Sequence, residues 1–534
     1  MRRLLLIAAV FVVILSSCDT MPEVPENTVF RYNEPSGIST LDPAFAREQS
    51  NIWACHQLFN GLVQMDSELN VQPCIARSWV VEDSGTHYIF QLREDVLFHP
   101  HELLRDEQRE VDAYDVIYSL KRLTDRATAS PGAWVLGSVD TIYATSRFEL
   151  HIELDHSFAP FLGMLSMKYC SVVPQEVVEG MGSEFGRAPI GTGPFKYQLW
   201  AADEKLVFRK NEEYFEFDGD ERLPHLEAVA IDFITDRQAA FMEFLKGESD
   251  LLFGLDASYK DELLTRDGEL RGEYSSKFTL QHIPYLNTEY LAINQQLEDT
   301  HPLSIRDVRL ALNLSIDREK MMRYLRNGIG KPADGGMVPR GLPSYNPEAT
   351  GGYSHRLDSA NFLLARAGYP EGNGMPAFTL STTSNYLDIC EYLQASWNTL
   401  GIPVEVEVLP ASTLREGKAQ GTLPFFRASW IADYPDAENY LSLFTSGNHT
   451  PNGPNYTFFS NSEFDMLYDQ AQRESNDSAR LSLYREMDAI IVNEAPVIPL
   501  FYDEVVRFVP REISGLEPNA LNLLELKRVK KTAE

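Results

Sequence analysis

"FTLSTTSNYLDICEYLQASWNTLGIPVEVEVLPASTLREGKAQGTLPFFRASWI" (378–431) decides the fold. Three runs read as strands, "FTLSTT" (378–383), "VEVEVL" (404–409) and "LPFFRASWI" (423–431). Between them "LDICEYLQASWNTLG" (387–401) and "STLREGKAQG" (412–421) read as helices. Strand and helix in alternation imply right-handed crossovers, a mostly parallel sheet and an α/β class. The last strand runs straight into "ADYPDAENYL", which sets Asp433 two residues beyond Ile431. Short acids commonly end strands and cap helices, and Asp436 suits the cap of "AENYLSLF".

Beyond this stretch, "NSEFDMLYDQAQRES" and "DSARLSLYREMDAIIVNEA" read as helices before the strand-like "VIPLFYDE" (497–504). The first third mixes elements. "TVFRYNE" (28–34), "KLVFRK" (205–210) and "LEAVAIDFI" (226–234) read as strands, and "GTHYIFQLRED" (85–95) alternates apolar and polar residues. "VDAYDVIYSLKRLTDR" offers Asp112 as a helix N-cap, an acid in the first turn and basic residues in the last. "DRQAAFMEFLKGESD" (236–250) is a helix closed by Gly247.

A chain of 534 residues exceeds one hydrophobic core, so two or three domains are expected, interleaved or in series. Its 47 basic and 78 acidic side chains leave a net charge of −31. That repels nucleic acid and offers no general attraction to anionic lipid. The acids are scattered, as on a solvated surface.

Arg2 and Arg3 precede "LLLIAAVFVVIL" and then "SSC", ending at Cys18. Twelve apolar residues reach about 18 Å as a helix, short of the roughly 30 Å needed to span a bilayer. The arrangement is similar to a bacterial lipoprotein signal, with residues 1–17 removed, Cys18 acylated and 18–27 as a tether. Several acyl chains on one cysteine anchor a protein durably, here outside the cytoplasmic membrane, in the periplasm or at the cell surface. Cys55, Cys74, Cys170 and Cys390 are too dispersed to form a disulfide framework, and no pairing is assigned.

Enzyme signatures are absent. There is no GxSxG nucleophile elbow, and "HELLR" (101–105) puts Arg105 where a second zinc ligand belongs. "GTG" (191–193) and "GIG" (328–330) lack the further residues of a nucleotide loop. No cofactor is expected. The 11 histidines show no clustered metal-ligand spacing.

Several stretches in order resemble the family 5 solute-binding proteins, the peptide receptors of ABC importers. They are "STLDPA" (39–44), "QLFNGLV" (57–63), the run from "IARSW" to "YSLKRL", "PIGTGPFKY" (189–197), "RKNEEYF" (209–215), "PLSIRDVRLALNLSIDREKM" (302–321) and "SWIADYPD" (429–436). "HPHELLRDEQRE" departs from the family's shorter glycine-containing turn. The resemblance covers essentially the whole chain after residue 28.

It implies a two-lobed clamshell of the type II periplasmic-binding-protein kind with an extra inserted subdomain. By that likeness, residues 28–50, 188–280 and 498–534 form lobe I, 51–187 the inserted subdomain and 281–497 lobe II. The hinge would cross near Ile283–Leu286 and Val497–Leu500. A monomer is expected, handing ligand to an ABC permease.

A receptor for varied peptides draws affinity from main-chain bonds made by strand addition and from charge partners for the termini. The resemblance places these main-chain partners in "EPSGI" (34–38), with Gly37 and Ile38, and in "ASWI" (428–431), with Ser429, Trp430 and Ile431. It makes Asp433 the partner of the peptide's ammonium and Arg427 a partner for a short peptide's carboxylate. A histidine that assists elsewhere in the family has no counterpart in "TSNYLDI", where Tyr386 stands. Other readings are a relative that binds nickel, an oligosaccharide or a peptide signal, and, in another class, an extracellular hydrolase.

Overall fold

The computed structural model describes residues 28–532 apart from Arg105, Glu107 and Ala257. The expected signal, the tether and Cys18 lie outside the described residues. Three sheets organise the rest.

The first sheet has the order Val29–Asn33, Ala228–Asp232, Lys205–Lys210, Phe195–Ala201. Its first pair is parallel, with Val29 opposite Ala228, and the others are antiparallel. The second is an antiparallel sheet of Ala76–Glu82, His87–Leu92, Glu149–Leu154 and Val139–Ser146. The alternation of "GTHYIFQLRED" becomes an alternation of burial along His87–Leu92, which buries Tyr88, Phe90 and Leu92. The helix Ala113–Thr124 begins on a capping box: the Asp112 carboxylate accepts from the Tyr114 N–H at 2.9 Å, and Asp115 accepts the Asp112 N–H at 2.9 Å. Helix Arg237–Lys246 ends at Gly247, whose φ of 82° is the left-handed conformation that glycine adopts without steric penalty.

The third sheet has seven strands and corrects the expectation of a mostly parallel one. Phe378–Thr382 is parallel to Val404–Val408 and to Phe425–Ile431. The remaining pairings are antiparallel and rest on two long strands, Phe278–Ile293 and Val497–Pro510, which run beside each other for most of their length. Their register breaks between Pro284 and Thr288, opposite Glu504 and Tyr502. Neighbouring residues of Phe278–Ile293 serve opposite faces: Leu291 and Ile293 join one core, Tyr290 and Ala292 another. A separate core gathers residues from Phe30 to Leu251 with the chain's C-terminal segment, and Tyr434 inserts into it from the far side.

Two of the sequence motifs are structural. Buried Arg318 donates to the carbonyls of Pro499 at 2.8 Å and Asn313 at 2.9 Å, which ties helix Arg318–Leu325 to a long strand. In "GTG", a Cβ on Gly193 would stand 2.3 Å from the carbonyl carbon of Leu58, so glycine is what allows that close approach. The four cysteines from Cys55 to Cys390 are buried free thiols.

Candidate functional site

The strand Phe425–Ile431 pairs along one edge with Phe278–Ile293, in the register Ile431 to Asn287 through Phe425 to Ile293. Along its other edge it meets Phe378–Thr382 only at Phe426 opposite Ser381. Among the described residues Ala428–Ile431, which includes Ser429 and Trp430, therefore keeps one ladder edge free, the geometry that strand addition requires.

The chain then turns. Ala432 donates its N–H to Leu286 at 2.8 Å, and buried Asn439 accepts through Oδ1 from Trp430 Nε1 at 2.8 Å and from the Asp433 N–H at 3.3 Å. Asp436 accepts the Glu438 N–H at 2.9 Å in the turn before the helix Glu438–Leu441, whose N-cap is Ala437 and not the expected Asp436. Glu438, buried, accepts from the hydroxyls of Tyr434 and Tyr468, and Tyr440 donates to Leu286 at 2.6 Å. Asp433 thus stands on a turn fixed from both sides.

A cavity of about 160 Å³ opens beside it. Its lining brings together Ile431, Ala432 and Asp433 with Arg47, Lys168 and Tyr169, and with Tyr285 and Leu523 from the long strand and the C-terminal segment. Asp433 is exposed to solvent on the lining of the cavity, with its two neighbours Ala432 and Tyr434 buried. Desolvation by the protein around its carboxyl pushes it up to about 6, against the opposing effects of Asn439 and Arg47. On the same lining the Tyr169 hydroxyl is pushed up to about 12, chiefly by burial and further by the charge of Asp433.

The other anticipated residues fall elsewhere. Arg427 pairs with Glu289, the two side chains being 12% and 4% exposed, and its guanidinium sits 3.2 Å from the centre of the Tyr386 ring. Its charge is met inside its own wall, and it lines no part of the Asp433 cavity. Trp430 is held by Asn439 and packs partly on the adjacent core. "EPSGI" is not extended: the Gly37 N–H donates to Glu34 at 3.1 Å, closing a turn with Gly37 at a φ of 70°. Ile38 is buried in the first core, and neither it nor Gly37 lines the cavity. The segment is a turn because Ser36 N–H also bonds the Glu34 carboxylate at 3.1 Å, which bends the chain there.

Sequence reasoning missed Arg47, Lys168 and Tyr169. One signal was available: Lys168 is the sole charged residue between His156 and Glu176, in "FLGMLSMKYCSVV". Among the described residues no group of three or more histidine, cysteine or acidic side chains could hold a metal ion. No helix among them is long and apolar enough to cross a membrane.

Known proteins share this architecture. The chain is 27% identical over 527 residues to the probable deoxycholate-binding periplasmic protein YgiS of Escherichia coli, covering 92% of each. It is 24% identical over 524 residues to the dipeptide-binding protein DppE of Bacillus subtilis, covering 93% of this chain and 90% of that one. The structure of the periplasmic binding protein DppA of Helicobacter pylori, in complex with the peptide STSA, superposes with a TM-score of 0.77 at 25% identity, covering 95% and 98%. All three are described as binding proteins, and DppA of Helicobacter pylori as associated with an ABC transporter. The model of the bacterial extracellular solute-binding proteins, family 5, matches residues 70–452, and to that family this chain belongs.

Proposed function

We propose that this protein captures short peptides between two lobes and delivers them to the membrane subunits of an ABC importer. The observation that carries the reading is Asp433, facing the cavity at the end of a strand whose edge is free. An α-ammonium taken out of water needs a carboxylate, because an unpaired buried charge is strongly unfavourable. The free edge at Ala428–Ile431 would pair with the peptide backbone whatever its side chains. The dipeptide for which DppE is named and the peptide STSA bound in the Helicobacter DppA complex support a peptide ligand.

In this reading residues 28–50, 188–280 and 498–534 form one lobe, 51–187 its inserted subdomain and 281–497 the other lobe. Acylation at Cys18 tethers the monomer outside the cytoplasmic membrane, and the intact mass of membrane-extracted protein tests that anchor.

Native mass spectrometry weighs the co-purifying ligand, and calorimetry compares a bound peptide with its N-acetyl form. Acetylation, or Asp433→Asn, is expected to weaken binding by about 2–5 kcal/mol, as loss of one partner of a buried pair does. Equal affinities for free and acetylated peptide refute the assignment. A co-purifying steroid acid, or peptide fragments produced on incubation, refutes the peptide receptor itself.

A further inference from the structure

We propose that the cavity beside Asp433 receives the first side chain of the ligand, so that the protein selects peptides beginning with an uncharged apolar residue such as leucine or phenylalanine. The inference rests on the peptide reading and adds a side-chain preference to it. With the ammonium at Asp433 and the backbone along Ala428–Ile431, the first Cα of the peptide lies at the end of the strand, where the cavity opens.

Much of the lining is apolar. Ile52 and Met167 pack against the core that runs from Phe30 to Leu251, and Leu521 and Leu523 belong with the core of Tyr290 and Ala292. Ile431, on the same lining, is 44% exposed, and an apolar side chain placed against it removes that surface from water. The segment that carries the two leucines is already fixed: Trp53 Nε1 donates to the Asn522 carbonyl at 2.6 Å, and Asn519 Oδ1 accepts the Leu523 N–H at 2.9 Å. Binding therefore has little of this lining left to order.

Polar groups on the lining offer a side chain less. The Ser166 hydroxyl donates to the Gly163 carbonyl at 2.7 Å, and the Gln49 amide donates to the Asn522 carbonyl at 3.4 Å. Lys168 has Glu525 as its acid, and Arg47 is exposed. An ion pair with an exposed arginine is worth up to about fivefold in affinity. Burying the three further carbons of leucine relative to alanine is worth up to about 50-fold, so the apolar contribution decides. Size agrees. The cavity has a volume of about 160 Å³. An apolar cavity of about 150 Å³ admits a group the size of benzene.

The test uses the full-length mature protein. Native mass spectrometry after incubation with an equimolar mixture of alanine and leucine peptides of two to five residues selects the length bound. At that length the first residue is varied through glycine, alanine, leucine, phenylalanine, aspartate and lysine, with the rest held as alanine, and each peptide is titrated by calorimetry. Leucine and phenylalanine are expected to bind about 20-fold more tightly than alanine, with aspartate and lysine no tighter than alanine. Met167→Ala should cut the preference for leucine over alanine to about fivefold or less, and Met167→Gln, which keeps the length of the side chain, should cut it as well. Because the readout is a ratio between two peptides, a general loss of stability leaves it unmoved, and the weakening caused by N-acetylation should stay as in wild type. A series that is flat, or led by aspartate or lysine, overturns the apolar pocket, and so does a leucine preference that both Met167 variants leave intact. The peptide reading stands in either case so long as N-acetylation weakens binding. If wild type retains no peptide of any length, both fall together.

Discussion

Asp433 can hold an ammonium only as a carboxylate, and its surroundings resist that form: although the residue is exposed at the cavity, crowding by the protein around its carboxyl lifts it to about 6. The sign follows directly. Below that pH the free protein carries a proton on Asp433 that a bound ammonium must displace, so affinity falls by about tenfold per pH unit as pH drops below 6. Above roughly pH 8 the peptide's own amine loses its charge, so binding is expected to be strongest between about 6 and 8. Calorimetry from pH 4.5 to 9 checks this, and Asp433→Asn should flatten the acid limb. Asp433 was legible because it follows a readable strand at a fixed spacing from Trp430. Lys168 and Arg47 were not, since no local pattern relates residues 47, 168 and 433, which only tertiary folding brings to one cavity. The pairing of Arg427 was hidden for the complementary reason. Its partner, Glu289, stands diagonally across the ladder on a strand far away in sequence, a pairing that no periodicity reveals.

Elements with local signals emerged where their residues said. Lys205–Lys210 has the anticipated bounds, Asp112 caps its helix, and Gly247 ends another. Strand direction did not follow the same logic. The crossovers of 378–431 do give parallel neighbours, but Phe278–Ile293 and Val497–Pro510 are joined across more than 200 residues of intervening chain, and nothing local encodes their antiparallel register. Close approach of elements was equally hidden in "GTG", which lacks the further residues of a nucleotide loop and is instead a packing device. A methyl at Gly193 would lie 2.5 Å from the Gln57 carbonyl oxygen and 2.3 Å from the Leu58 carbonyl carbon, against backbone that cannot swing aside. Gly193→Ala is therefore expected to destabilise folding by about 3 kcal/mol, the upper range for overpacking. Urea unfolding measures it, and a loss under 1 kcal/mol shows that the helix Gln49–Leu58 can shift to make room.

At the scale of the molecule the walls are in contact beyond the cavity. The rings of Trp134 and Tyr434 lie 6.3 Å apart, a Cβ on Gly163 would meet Tyr434 and Pro435 at 3.9 Å, and Ser157 Oγ donates to the Arg473 carbonyl at 3.2 Å. These contacts bridge regions linked by the long strands, and in the proposed two-lobed reading the register break at Pro284–Thr288 is where a hinge would bend. If closure is an equilibrium, the bridging contacts set its position without touching ligand, and they act on every ligand alike. Trp134→Ala removes one aromatic pair, worth about 1 kcal/mol, so each dissociation constant should rise by up to roughly fivefold, less the more the free protein is already closed. The ratio of affinities for free and acetylated peptide should stay fixed, because Asp433 is unaltered. Small-angle scattering of the unliganded variant should show a larger radius of gyration than wild type, and saturating peptide should restore the wild-type value. A changed ratio instead means that Trp134 touches the ligand itself, which would move it from the latch to the binding site.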